Sequence, residues 1–169
     1  MIIMGIDPGS RVTGYGIIQK QGEHLSWIND GEISPPRDLS LYEKTFFIFL
    51  ELKKLIQVYN PEELAIEDIF YYKNAKSFVK LGHIRGAIVI ASFLCKVPIF
   101  EYTPLQVKKA VTGYGNATKE QVKGMVKFIL GIKKDIGNDS SDALAIAICH
   151  ANSRDWIEND RLHNRQDYK

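Results

Sequence analysis

Three strand-like segments lie within the first 33 residues of the chain. Residues 2–6 form an uninterrupted apolar run. Residues 13–19 and 24–33 also have strand-like composition, with the short turn Lys20-Gln21-Gly22-Glu23 between them. Strands joined by so few residues pair antiparallel with their neighbours. The chain is therefore predicted to begin as a three-stranded antiparallel meander.

The rest of the chain alternates between helical and strand-like periodicity. Strands are predicted over residues 64–66 and 98–102, and helices over residues 39–59, 75–96, 104–112, 118–130 and 138–151. Pro104 suits the first turn of its helix, and Thr118 with Gln121 has the pattern of a capping box. This order predicts an α/β protein with a mixed five-stranded sheet and helices on both faces. Such a layout resembles the ribonuclease H-like fold.

The 169 residues correspond to about one domain. We expect this domain to occupy residues 1–153, followed by a polar C-terminal tail over residues 154–169. No run of ~18 apolar residues predicts a membrane span, and the N-terminus lacks the basic region of a secretory signal. Cys95 and Cys149 lie in apolar surroundings without metal-ligand spacing, which is typical of reduced thiols in a cytoplasmic protein.

Charge is segregated along the chain. The net charge is only +2, but residues 71–134 contain twelve Lys and Arg residues and two acids, Glu101 and Glu120. That segment therefore carries +10 and the remainder −8. A basic face beside carboxylates suits a polyanionic partner such as nucleic acid. A solvated lysine-rich surface is the alternative.

Four carboxylates fall where active sites form in such a sheet. Asp7 and Glu67 come at the carboxyl ends of the first and fourth predicted strands. Asp139 and Asp142 are three residues apart at the start of the last helix, so they share one side of it. Facing carboxylates repel one another unless they are protonated or bind a cation, and oxygen ligands without His or Cys favour Mg²⁺ or Mn²⁺ over Zn²⁺. Two such ions promote phosphodiester hydrolysis by stabilising the attacking and leaving oxygens.

Several ordered motifs resemble those of the RuvC-type Holliday-junction resolvases. The opening of that family is similar to the segment Gly5-Ile6-Asp7-Pro8-Gly9-Ser10-Arg11-Val12-Thr13-Gly14-Tyr15-Gly16. The second acidic motif of the family is similar to Ala65-Ile66-Glu67-Asp68-Ile69-Phe70 with Lys73-Asn74-Ala75. Asp139-Ser140-Ser141-Asp142-Ala143-Leu144-Ala145-Ile146-Ala147 resembles its last motif. Three further segments also fit the family pattern: Lys80-Leu81-Gly82, Arg85-Gly86, and Phe100-Glu101-Tyr102 leading to Gln106-Val107-Lys108. The resemblance extends over about residues 1–152.

The resemblance implies a homodimeric, Mg²⁺-dependent endonuclease. Such enzymes resolve four-way DNA junctions by paired nicks and work beside a RuvAB-type branch-migration complex in recombination and repair. The match implies Asp7, Glu67, Asp139 and Asp142 as the catalytic, metal-binding set. In the mechanism we favour, one ion held by Asp7 and the acids of the last helix activates water, and a second shared by Asp7 and Glu67 stabilises the leaving 3′ oxygen.

Five residues are expected to contact DNA. By the same resemblance, Lys108 and Lys119 match basic positions near the scissile phosphate, where we expect Lys119 to offset charge in the transition state, with Lys108 as the alternative. Phe70 matches an aromatic residue that contacts bases at the crossover, and its segment leads into Lys73 and Lys76. Packing against its own domain or a second copy is the alternative for Phe70.

Two coordinated nicks in a substrate of near two-fold symmetry need two active sites, so we expect a C2 dimer. Its interface is predicted on the apolar side of the helix over residues 75–96, including Ile84, Ile88 and Ala91.

Two other functions stay open at this point. One is a junction-binding module without catalysis, in which the four acids are only turn, strand-end and cap residues. The other is an actin-like or sugar-kinase domain, although that fold normally needs two such units.

Overall fold

The strands and helices follow one another in the predicted order. The computed structural model describes residues 1–68 and 75–164, with side chains as far as Arg154. The strands are β1 (Ile2–Asp7), β2 (Thr13–Gln21), β3 (His24–Ile33), β4 (Glu63–Glu67) and β5 (Ile99–Tyr102). The helices are α1 (Leu41–Tyr59), α2 (Ala75–Leu94), α3 (Pro104–Thr112), α4 (Lys119–Ile129) and α5 (Asn138–Asn164).

The five strands form one mixed sheet in the order β3-β2-β1-β4-β5. β2 pairs antiparallel with both β1 and β3, whereas β4 pairs parallel with both β1 and β5. The predicted mixed sheet is therefore confirmed. Because β1 and β4 are adjacent and parallel, their carboxyl ends meet at the same edge of the sheet.

Helices cover both faces of this sheet. Along β1, Ile3 packs on one face with residues of α3, α4 and α5, while Met4 and Ile6 pack on the other with residues of α1 and α2. This alternation follows from the two-residue period of side chains on a strand.

Cys149 is buried, Cys95 is half-buried and both thiols are free, in agreement with the prediction.

Side-chain caps fix the starts of two short helices. The Thr118 hydroxyl accepts from the Gln121 N–H at 3.3 Å, and the Gln121 side chain accepts from the Thr118 N–H at 2.9 Å. This confirms the predicted capping box of α4. Thr103 and Gln106 form the same arrangement at the start of α3. These reciprocal bonds satisfy backbone donors that the first helical turn leaves unpaired.

α5 lies against the sheet at a distance that only glycine permits. A Cβ placed on Gly5 would lie 2.0 Å from the carbonyl oxygen of Ala143, and one on Gly14 would lie 2.0 Å from that of Asp139. Gly16, which pairs with Gly5 across β1 and β2, is crowded by the same helix. The backbone of α5 therefore comes into direct contact with Gly5 and Gly14, and the Leu144 side chain of α5 packs on Gly16.

A buried polar cluster holds the middle of α5 to β4 and β5. His150 lies 2.6 Å from the Tyr102 hydroxyl through Nδ1 and 2.7 Å from the Glu63 carboxylate through Nε2. Burial lowers the pKa of His150, so its ring is neutral. A neutral ring has one donor and one acceptor nitrogen, so Nε2 donates to Glu63 and Nδ1 accepts from Tyr102. Arg154 adds a second donor to Glu63 at 2.8 Å.

The two sides of α2 have different environments, and the predicted interface is wrong. Ile84, Ile88 and Ala91 are fully buried in the core against the sheet and α1. Both sides of this helix are apolar, so helical spacing alone did not reveal which side packs inward. By length and composition α2 even resembles a membrane span, with a mean hydropathy of 1.4 over an 18-residue window. The side that stays exposed carries Phe78, Val79, Ile90, Phe93 and Leu94.

The last helix is longer than predicted. α5 continues to Asn164 instead of ending near residue 151. The polar composition from Arg154 onward predicts a frayed tail, but no Gly or Pro interrupts residues 152–164, so nothing in the backbone chemistry stops the helix. The boundary between domain and tail at residue 153 stays a prediction.

The glycine contact under α5 leads to a stability prediction. Gly5→Ala should lower the free energy of unfolding by about 1–3 kcal/mol, because the new methyl group meets backbone that cannot move independently. Urea denaturation followed by circular dichroism measures this change. Gly124→Ala in α4 is the control: a Cβ there meets nothing within 4 Å, so stability should stay equal or rise by ~0.5–1 kcal/mol. Equal stability of the Gly5→Ala and wild-type proteins would contradict the close contact.

Candidate active site

Two carboxylates stand side by side at the edge of the sheet. Ile6 and Ile66 are paired in the parallel register of β1 and β4, so Asp7 and Glu67 are the next residues of the two strands. Ile6 and Ile66 both point toward α1 and α2. Because strand side chains alternate, the two acids point to the opposite face, which α5 covers.

The first turn of α5 adds two more acids to this edge. Gly14, which pairs with Asp7 across β1 and β2, lies against the carbonyl of Asp139, and Asp142 follows three residues later on the helix. All four carboxylates line one cleft of about 490 Å³. The structure thus brings together the acids that the sequence singled out, while their catalytic and metal-binding roles stay predictions.

Two lysines line the same cleft. Lys119, at the start of α4, donates to the Asp142 carboxylate at 3.0 Å, and this hydrogen bond raises the pKa of the lysine. Lys108 comes from α3. Both lysines act to lower the pKa of Glu67, although burial and Asp142 outweigh them and the net shift is upward. The cleft therefore holds anionic and cationic groups within reach of one another.

The carboxylates destabilise one another's charged forms. The pKa of Asp7 is raised to about 7, first by burial and then by repulsion from Glu67, Asp142 and Asp139, with only Lys119 opposing the shift. An acid with such a pKa is partly protonated at neutral pH. The negative charge of the cleft thus exceeds what Lys119 and Lys108 neutralise, and an added cation would relieve the repulsion.

The chemistry of the cleft fits a hard divalent cation. Among the described residues that line it, the candidate metal ligands are carboxylates, without His or Cys. Nowhere in residues 1–68 and 75–154 do three or more acidic, His or Cys side chains already surround one point as a metal-binding group. Oxygen donors and excess negative charge nevertheless match the preference of Mg²⁺, which keeps several of its own waters and needs few protein ligands.

Arg85 holds the carboxyl end of β4, a role that the sequence interpretation missed. Its guanidinium donates to the main-chain carbonyl of Glu67, lies 2.6 Å from the Glu101 carboxylate and lies 3.7 Å from that of Asp68. It contacts the backbone of the acid and not its carboxylate, so we infer that it positions Glu67. A signal was present, since Arg85 is the one charged residue between Lys80 and Lys96, and a cation in an apolar helix needs partners.

Of the other three predicted DNA contacts, only Lys76 belongs to the described residues. Phe70 and Lys73 fall outside the described residues, so their predicted roles stay predictions. Lys76 lies in the first turn of α2 and is exposed. It precedes Ser77, which lines a cleft next to the one described above.

The raised pKa of Asp7 predicts how stability changes with pH. Folding favours its protonated form, so ionisation destabilises the metal-free protein as the pH rises from about 4 through about 7. In the presence of EDTA, Asp7→Asn should therefore be more stable than wild type at pH 8, by up to roughly 4 kcal/mol, with the difference vanishing near pH 4. Thermal melts across this range measure the difference. Asp38→Asn, an exposed carboxylate before α1, is the control, and equal melting of Asp7→Asn and wild type at pH 8 would contradict the crowding of charges.

Comparisons with known proteins agree on one family. The family model described as crossover junction endodeoxyribonuclease RuvC matches residues 3–150. The protein of that name from Citrifermentans bemidjiense is 49% identical over 153 residues, which cover 90% of this chain and 93% of the relative. The structure of Thermus thermophilus RuvC in complex with Holliday junction substrate is 33% identical, with a TM-score of 0.84 over 89% of this chain and 93% of the other.

A more distant structure shares the fold. The yeast mitochondrial Holliday junction resolvase is only 12% identical but matches with a TM-score of 0.67, over 97% of this chain and 83% of its own. The predicted ribonuclease H-like layout is confirmed by these neighbours. The family match spans nearly the whole described domain and includes both strand-end acids and both acids of α5. The chain therefore belongs to the RuvC family of crossover junction endodeoxyribonucleases.

Proposed function

We propose that this chain cuts four-way DNA junctions by hydrolysing one phosphodiester bond in each of two strands. The observation that carries this proposal is the cleft in which Asp7, Glu67, Asp139 and Asp142 meet two lysines. The solved complex of the Thermus thermophilus relative with a Holliday junction supports the same substrate. The actin-like alternative loses its support, because the match to the Citrifermentans nuclease extends over 90% of this chain and 93% of that relative.

We propose that two Mg²⁺ ions, replaceable by Mn²⁺, occupy the cleft on the four carboxylates. When bound, the ions polarise the scissile phosphate and lower the pKa of the attacking water. Asp7 lies between Glu67 on one side and the α5 acids on the other, so it holds the centre of this ligand set. Lys119, already charged beside Asp142, neutralises charge that develops on the phosphate, and Lys108 shares this role.

We also propose DNA contacts beyond the cleft. Phe70 is proposed to stack on a base at the crossover, with Lys73 and Lys76 binding nearby phosphates, because their segment directly follows Glu67 and Asp68. We further propose that the protein works with a RuvAB-type complex in recombination and repair and that it is located in the cytoplasm. These proposals accord with a junction substrate.

We also propose a homodimer formed through the exposed face of α1 and α2. A groove of about 660 Å³ lies between these helices, and Tyr42, Phe46, Phe49, Val79 and Ile90 are among the residues that line it. Tyr42, Phe46, Val79 and Ile90 are each more than half exposed, which is costly for a monomer in water. A second copy is the occupant that paired cleavage requires, since each protomer supplies one cleft.

The dimer proposal is tested by a charge placed in the groove. Phe46→Lys and Ile90→Lys should each convert the dimer to a monomer, because an interface cannot bury an unpaired ammonium group without a large cost. Light scattering coupled to size exclusion gives the mass. Phe128→Lys, on the exposed surface of α4, is the matched control and should leave the mass unchanged. A monomeric wild type that still nicks both strands together would refute the dimer.

Catalysis is tested by removing one carboxylate. Asp7→Asn should abolish cleavage of a synthetic four-way junction in Mg²⁺, while binding in EDTA stays equal or becomes tighter, because the change removes negative charge and no phosphate contact. Gel assays of cleavage and binding measure both quantities, with Asp38→Asn as the control. Cleavage by Asp7→Asn near the wild-type rate would show that the site is wrong. A wild type that binds junctions but cleaves none in Mg²⁺ or Mn²⁺ would support the binding-module alternative.

A further inference from the structure

A second cleft adjoins the catalytic one. It also measures about 490 Å³ and lies between the turn that links β1 to β2 and the first half of α2. The linings of the two clefts share Pro8, Gly9, Val12 and Asp139. The turn therefore forms the boundary between the two clefts. A polymeric substrate bound at Asp7 that continues over this turn therefore enters the second cleft.

Two cations face this second cleft from different elements. Arg11 comes from the turn and Lys80 from α2, and both are exposed. In the described part of the chain neither has a hydrogen bond or salt bridge, in contrast to Arg85 and Lys134, whose charges are paired within the fold. Asp139 is the one acid among the described lining residues, and it belongs to the catalytic set. Among the described residues, the cleft thus offers two cations that no hydrogen bond or salt bridge pairs.

The shape and charge of this cleft match a nucleic-acid backbone. A nucleic-acid strand carries one phosphate per nucleotide. A strand with its scissile phosphate in the catalytic cleft must therefore place flanking phosphates on either side of that cleft. On the side of the turn, the cationic residues that line the cleft and can face those phosphates are Arg11 and Lys80. Phosphate contacts of this kind fix the register of a strand without reading its sequence.

We propose that the second cleft binds the phosphates that flank the scissile phosphate on the same strand, through Arg11 and Lys80. This inference rests on the proposed function, and it specifies the path of the cut strand: from the side of Lys108 and Lys119, across Asp7, and over the turn to α2. Arg11 and Lys80 position the substrate and take no part in the chemistry.

The first test measures binding and its salt dependence. Affinity for a fluorescent four-way junction is measured in EDTA from low to moderate salt for Arg11→Gln and Lys80→Gln. Each variant should bind roughly fivefold or more weakly at low salt, with the slope of log affinity against log salt reduced by about 0.9 for each lost phosphate contact. Arg37→Gln and Lys133→Gln remove the same charges at exposed positions outside both clefts and should retain the wild-type slope. Melting temperatures should be unchanged throughout, since all four side chains are exposed.

The second test locates the contact on the DNA. Junctions carrying one neutral methylphosphonate at successive positions around the scissile phosphate should weaken wild-type binding at a flanking position. At that position Arg11→Gln or Lys80→Gln should be insensitive to the substitution, because the partner charge is already absent. Wild-type slopes in both variants, or the same methylphosphonate effects in variants and wild type, would overturn the proposal. Failure of the wild type to bind or cut junctions would instead overturn the proposed function.

Discussion

The contact between the backbone of α5 and the glycines of β1 and β2 is the constraint on which the site depends. With Gly5, Gly14 and Gly16 on the sheet surface, the helix comes close enough for its first turn to stand over the end of β1. Any side chain at these positions would lift the helix and carry its acids away from Asp7. The arrangement of the four acids thus depends on the missing side chains of these glycines as much as on the acids themselves.

That geometry has an electrostatic cost within the protein. Four acids at one edge raise the pKa of Asp7 to about 7, and Lys119 offsets only part of the repulsion. A fold selected for stability alone would separate these groups or replace one of them. Their retention in one cleft is understandable if a cation and the phosphate backbone complete the site, since binding then recovers the free energy lost on folding.

Much of the fold and of the site could be predicted from the sequence because it depends on local chemistry. Capping residues such as Thr118, the period of the strands and the acids at strand ends are properties of short segments, and all appear where expected. The inward side of α2 could not be predicted in this way, since both of its sides are apolar and only the tertiary arrangement distinguishes Ile84 from Ile90. Arg11 and Lys80 were likewise missed as a pair, because residues 69 positions apart in sequence become neighbours only through the β1–β2 turn and α2.

The buried Tyr102–His150–Glu63 cluster at the middle of α5 has a consequence for the start of that helix. Asp139 and His150 are eleven residues apart, so roughly 16 Å of continuous helix separates them. A helix transmits displacement along its axis, and a slip of one residue would shift it by about 1.5 Å and rotate it by about 100°. Such a slip would turn both aspartates away from Asp7 while leaving the apolar packing of this Ala-rich helix partly intact. Three hydrogen-bonded side chains, about 16 Å along the helix from Asp139, therefore keep α5 from sliding along its axis and fix the direction in which Asp139 and Asp142 point.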